Sequence, residues 1–186
     1  HRFAFDQHKL LRKIDGSVIE ASPTHLGRGV TMTIDLSTHE TIGWRAKAKH
    51  EHVLDTHVYT HPIEDFFEPV SRPADGTCTI HPGEFYIFAT KEKIIVPPNY
   101  AAEMMAYDAS KGEFRSHFAG FFGPGFGWDA DEINAGSIAV LEIEAYSHDF
   151  ILHDGQPICL MIYEHLLATP EKLYGADLKS NYHKQE

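Results

Sequence analysis

Turn signals cut this chain of 186 residues into runs too short for ordinary helices. Val30 to Leu36 alternates, with Val30, Met32, Ile34 and Leu36 on one face and Thr31, Thr33 and Asp35 on the other, which predicts a strand. Thr41 to Ala46 reads as a second, short strand, and Thr77 to Ile80 leads into His81-Pro82-Gly83-Glu84. Phe85 to Thr90 is a further strand pattern; Lys91-Glu92-Lys93 reads as a turn, and Ile94 to Val96 follows, closed by Pro97-Pro98. Tyr100 to Tyr107, Phe114 to Phe118, Ser137 to Glu144, Asp149 to Leu152 and Pro157 to His165 complete the series. Asp15-Gly16, Ser110-Lys111-Gly112 and Asp154-Gly155 are turn signals between runs. His1 to Ile14 mixes apolar and basic residues; it reads as a short helix from Asp6 to Ile14 or as a linker. Many short strands and at most one or two helices predict an all-β barrel or sandwich.

Composition narrows the partners. At 42% hydrophobic residues the chain can bury a full core, and its length suits one domain with an appendage. A formal charge of −11 argues against a nucleic-acid backbone as partner, though not against a nucleotide, which needs only local donors. Cys78 and Cys159 lie far apart, so neither a disulfide framework nor a Cys-x-x-Cys zinc site is expected. That usage fits a reducing cytoplasm. No apolar run approaches the roughly 20 residues of a membrane helix, and no secretory signal is visible. The chain opens on His1 rather than Met, as a piece of a longer polypeptide would.

Two stretches point to chemistry. Phe118 to Gly127 holds four glycines and four phenylalanines in ten residues. Such a density predicts positive φ or close approach to the backbone. Then Ser137 to Glu144 places Glu142 on the strand face of Ile138 and Val140. An acid on an apolar face must find a partner, give up its charge or do chemistry. The plainer alternative is a solvated glutamate on an edge strand. His50, His52, His57 and His61 form a second cluster, and His-x-His on a strand puts both rings on one face. A cupin-like metalloprotein would use His50 and His52 with Glu84 or His117; the cluster offers no clear fourth ligand, and solvated histidines are the alternative. There is no phosphate-binding Gly-x-x-x-x-Gly-Lys-Ser/Thr loop, no Gly-x-Ser-x-Gly elbow and no zinc-deaminase signature.

Five motifs occur in one order: His81-Pro82-Gly83-Glu84-Phe85, Ala119 to Phe126, Val140-Leu141-Glu142, Asp154-Gly155-Gln156, and Tyr174-Gly175 with Asn181-Tyr182-x-x-Gln185. Taken together they resemble dCTP deaminase of the trimeric dUTPase-like superfamily, in particular the C-terminal half of the tandem-duplicated enzymes, whose Gly-Glu-Phe-Arg segment is similar to Gly112 to Arg115. The resemblance implies a distorted β-barrel of the β-clip type over residues 29–172, preceded by a linker or helix over 1–28 and followed by a tail over 173–186 that closes as a lid. It implies a hydrolase acting on a cyclic amidine C–N bond, in which a Glu142-activated water attacks C4 of cytosine and dCTP becomes dUTP. It further implies no zinc, magnesium accompanying the triphosphate, and a homotrimer or its tandem equivalent with sites shared between subunits; charge and hydropathy already predict neither nucleic acid nor membrane as partner. By the same resemblance the backbone at Ala119 and Gly120 contacts the base, and Tyr174 and Gln185 close over the nucleotide.

The chain departs from the family pattern where phosphate binds. The family's Arg-Ser-Ser motif falls on Ala106 to Ser110, an expected arginine is Phe121, and a tail lysine is Asn181. Ser110, Lys111, Arg115 and Lys179 are the candidate substitutes. The acid that often precedes Pro-Gly-Phe is Gly123, which disfavours dUTP hydrolysis. A domain that has lost catalysis, and supports an oligomer or binds nucleotide, is the second reading.

Overall fold

The structure, a computed structural model, describes residues 9–20, 29–49, 51–58, 60–106, 114–117, 120–129 and 136–175, and of residues 106 and 114–117 the backbone only. Among the described residues the elements are strands, apart from a single 3-10 turn at Ile63–Asp65. The strands are β1 (Leu11–Arg12), β2 (Val30–Thr33), β3 (Thr41–Ala46), β4 (Phe67–Ser71), β5 (Thr77–Ile80) and β6 (Phe85–Ile94). They continue as β7 (Tyr100–Ala106), β8 (Phe114–His117), β9 (Phe121–Phe122), β10 (Ser137–Ala145), β11 (Phe150–His153) and β12 (Pro157–His165). No helix is long and apolar enough to cross a membrane among these residues.

A six-stranded sheet runs β4-β3-β6-β10-β8, with β1 added to β6. A four-stranded sheet runs β2-β12-β7-β9, and β5 pairs β11. The pairings are antiparallel, and the sheets curl around one core to form a distorted barrel. The period-2 pattern explains which side faces in. Tyr86, Phe88 and Ile94 of β6 point to the core with Ala139, Leu141 and Ile143 of β10 and Ile158, Met161 and Tyr163 of β12. Burying each such large apolar side chain contributes about 1.5–3 kcal/mol before chain entropy is charged against it.

Two expectations are corrected. The Lys91-Glu92-Lys93 turn is strand, since β6 runs unbroken from Phe85 to Ile94. Alternation continues through the charges, with Lys91 and Lys93 partly exposed and Glu92 buried. Glu92 tolerates burial because its two oxygens accept from Thr33 N at 2.8 Å and Thr33 Oγ1 at 2.6 Å. Of the stretch read as a helix over Asp6 to Ile14 or as a linker, residues 6–8 lie outside the described residues; the rest forms strand at Leu11–Arg12, and Leu10 and Leu11 are fully buried in the core.

The barrel closes where β2 leaves one sheet for the other. Up to Thr33 it pairs with β12. Ile34 then bridges Thr90 of β6, and Asp35 N donates to Ala89 O at 3.1 Å. The following turn is fixed by Asp35 Oδ1, which accepts from Ser37 N and Thr38 N, both at 3.0 Å. Asp154 anchors the same turn: it accepts from Leu36 N at 2.9 Å and pairs with Lys91, which also donates to Ser37 Oγ at 3.2 Å.

Partial burial raises the Asp154 carboxyl, but the hydrogen bonds from Lys91, Leu36 and Ser37 outweigh it and leave it below its ordinary value. A lowered folded value adds stability above the unfolded value, and this is lost as pH falls through the folded one. Asp154→Asn is therefore expected to destabilise by about 1–2 kcal/mol at pH 7. In urea unfolding the gap from wild type should narrow toward zero as pH falls below the carboxylate range.

Candidate active site

Strand β10 carries the acid that the sequence singles out. Its inward residues Ala139, Leu141 and Ile143 are buried, so Val140, Glu142 and Glu144 look outward. Glu142 is exposed, and Val140 beside it is 41% exposed. The apolar face inferred for Glu142 is thus the outside of the barrel, open in a single chain. Across that face the register is Trp44 of β3 opposite Ile87 of β6, Ile87 opposite Glu142, and Glu142 opposite His117 of β8. Both Trp44 and Ile87 are half-buried. Apolar residues therefore flank the carboxylate on the β6 side. Sequence reasoning missed this pair; nothing in a single strand's pattern announces which residue its neighbour sets opposite.

The glycine-aromatic segment lies beside this sheet and is built on tight backbone contacts. β8 ends at His117, opposite Glu142; three residues later Gly120 O accepts from Met104 N of β7 at 3.0 Å. The chain there passes from the six-stranded sheet to the four-stranded one. Two glycines are obligatory. At Gly125 (φ 98°) a Cβ would lie 2.9 Å from Tyr174 O; at Gly127 (φ 64°) it would lie 2.2 Å from Ile94 O. Phe122 and Phe126 meet edge to face at 4.9 Å, and Tyr174 packs on Phe126 at 5.7 Å. Tyr174 N donates to Pro124 O at 2.8 Å. The start of the expected lid is thus docked on the glycine segment. Phe121, where the family pattern would have an arginine, is 70% exposed.

Of the other candidate residues, Arg115 stands in register with Glu144. Ala119, Ser110, Lys111, Lys179, Asn181 and Gln185 lie outside the described residues. Glu84, the acid considered for a metal site, is held otherwise: Arg45 Nη1 donates to it at 3.4 Å, the Tyr86 hydroxyl donates to it, and Arg45 also bonds Glu68 at 2.7 Å. Burial, helped by Glu84, pushes the Tyr86 hydroxyl up to about 12. His57 contacts Asp55 at 3.2 Å, and His52 stands 3.7 Å from Asp65. His50 lies outside the described residues. Burial, with the Glu92 charge nearby, pushes the Cys159 thiol up to about 12 and leaves it unreactive.

Gly127→Ala is expected to lower stability by more than about 1 kcal/mol, since both conformation and space forbid the methyl. Thermal unfolding would measure it, and loosening should spread to Ser137 at the start of β10, whose N would lie 2.9 Å from the new Cβ.

Comparison with known proteins places this arrangement. The sequence model for the 2'-deoxycytidine 5'-triphosphate deaminase (DCD), C-terminal domain, matches residues 6–186. The crystal structure of 2'-deoxycytidine 5'-triphosphate deaminase from Agrobacterium tumefaciens superposes with a TM-score of 0.78 at 38% sequence identity. That match covers 95% of this chain and 49% of that one, so the chain spans about half the length of the solved relative. No curated protein sequence matches the chain. Family model, identity and shared barrel agree, and the chain belongs to the dCTP deaminase C-terminal domain family, of dUTPase-like fold.

Proposed function

We propose that this protein deaminates dCTP to dUTP, with Glu142 as the general base. The observation that carries the proposal is an acid on a strand paired on both sides, facing outward beside Trp44 and Ile87, in a chain of the dCTP deaminase family. Buried Leu141 and Ile143 hold the strand from behind, so Glu142 is positioned by the core rather than by a loop. In this reading Glu142 takes a proton from water as the oxygen bonds to C4 of cytosine. Protons then pass to the amino nitrogen, the C4–N bond breaks, ammonia leaves and the C4 carbonyl forms. Carboxylate chemistry of this kind needs no zinc. Magnesium enters with the triphosphate as its counter-ion, part of the substrate.

The backbone at Ala119 and Gly120 would read the base, and Ser110, Lys111, Arg115 and Lys179 would supply phosphate contacts in place of the missing arginine motif. Tyr174, with Asn181 and Gln185 of the tail, would close over the nucleotide. The setting proposed is cytoplasmic deoxynucleotide metabolism. The outer face around Val140 is proposed as the surface that another barrel covers, in a homotrimer or tandem-domain equivalent. A mass other than that of such an assembly, by light scattering at micromolar protein, would count against this.

A second reading rests on the phosphate stretch: Ala106 to Ser110 carries no arginine. In that case the barrel supports an oligomer or binds nucleotide without turnover. One experiment separates the two. Glu142→Gln should lower dCTP turnover by about 10²–10⁴-fold, because glutamine keeps the shape but cannot take the proton. Nucleotide affinity and fold should persist, and Glu144→Gln should retain most activity. Near-normal turnover in Glu142→Gln would remove Glu142 from the mechanism; no turnover in wild type would favour the supporting domain.

A further inference from the structure

The ladder between β6 and β10 is irregular just before Glu142. Ile138 lies opposite Lys93, but Val140 lies opposite Ala89. One residue, Ala139, therefore faces three: Thr90, Lys91 and Glu92. Continued evenly from Lys93, the pairing would set Glu142 opposite Ala89; it stands opposite Ile87 instead. The offset is two residues along β6, about 7 Å at a strand's rise per residue.

A single hydroxyl spans the irregularity. Ala139 N donates to Thr90 Oγ1 at 3.0 Å, and Thr90 Oγ1 donates to Glu92 O at 2.8 Å. Thr90 and Ala139 are each 1% exposed, so water cannot substitute for that oxygen. The far end is pinned as well, because the Glu92 carboxylate holds Thr33 and Ile34 bridges Thr90. Irregularities of this kind re-aim the residues that follow them and recur beside active sites.

We propose that the Thr90 hydroxyl is a positioning group for Glu142, fixing the two-residue offset of β10 that sets the carboxylate opposite Ile87. The proposal rests on Glu142 being the base. Thr90 touches no reacting atom; it acts through Ala139 and the three-residue step from there to Glu142.

The test compares Thr90→Val, which keeps shape and loses the hydroxyl, with Thr90→Ser, which keeps the hydroxyl. Ile158→Ala, in the other sheet, controls for lost stability alone. In dCTP assays at a temperature where each variant is folded, Thr90→Val should lose about 10- to 100-fold in kcat with KM within about twofold. Thr90→Ser should stay within about threefold of wild type, and Ile158→Ala should melt earlier with kcat unchanged. Amide hydrogen exchange supplies a readout independent of turnover: residues 139–142 should exchange faster in Thr90→Val and as wild type in Thr90→Ser. Unchanged kcat or unchanged exchange in Thr90→Val overturns the proposal. So does failure of serine to rescue, or an equal kcat loss in Ile158→Ala. If wild type does not turn over dCTP, the deaminase reading fails and the exchange comparison alone decides the role of Thr90. Should Thr90→Val not fold, an Ala139 amide unprotected in wild type would overturn the idea without any variant.

Discussion

The barrel depends on a charge buried in its seam. Glu92 belongs to the six-stranded sheet, and both its oxygens are taken by Thr33 of the four-stranded sheet. A carboxylate at 8% exposure is costly unless its acceptors are filled, so the sheets are held at a defined spacing and register rather than merely pressed together. Ile34 and Asp35 continue the seam onto Thr90 and Ala89. Strand β6 also pairs with β1, β3 and β10. An error at this seam would therefore spread into most of the larger sheet.

The candidate site inherits its geometry from the core. Glu142 gains nothing from loop flexibility; its neighbours in sequence are two fully packed aliphatic residues. Its outward face is apolar toward Ile87 and Trp44 and open to solvent. In water the field of one carboxylate is weak at a few ångströms; with the face covered, the same charge acts several-fold more strongly on a bound water or base. The proposed covering partner and the proposed base are thus physically linked. The glycine segment contributes by close approach: Gly125 and Gly127 bring the turn against Tyr174 and Ile94, where any side chain would hold it off.

Much of this was legible in the chain. Period-2 patterns located β2 and β10, the apolar runs between turn signals located β3, β12 and the first part of β6, and the parity of Ser137 to Glu144 set Glu142 apart from Leu141 and Ile143. Order and spacing of the motifs carried the family. What failed was local: Lys91-Glu92-Lys93 looks like a solvated turn because charge usually marks the surface, whereas Glu92 is satisfied by a threonine 59 positions away. Leu11 reads as part of a helix or a linker until β6 offers it an edge. The alternation pattern also did not say which face was outside, since Ile138 and Val140 are as apolar as Leu141 and Ile143. That distinction comes from pairing across strands, which no single segment encodes.

The step in β6 bears on how this fold accepts insertions. Side chains alternate with a period of two, so one extra residue in a strand turns every later position inside out, sending core residues to solvent. Two extra residues restore the parity. Three residues of β6 face Ala139 alone, and this surplus of two is the smallest that lengthens a strand while leaving Tyr86 and Phe88 inside and Ile87 outside. Length changes at this point of the barrel are therefore expected to come in pairs, and each pair would slide the acid along its neighbour without disturbing the core.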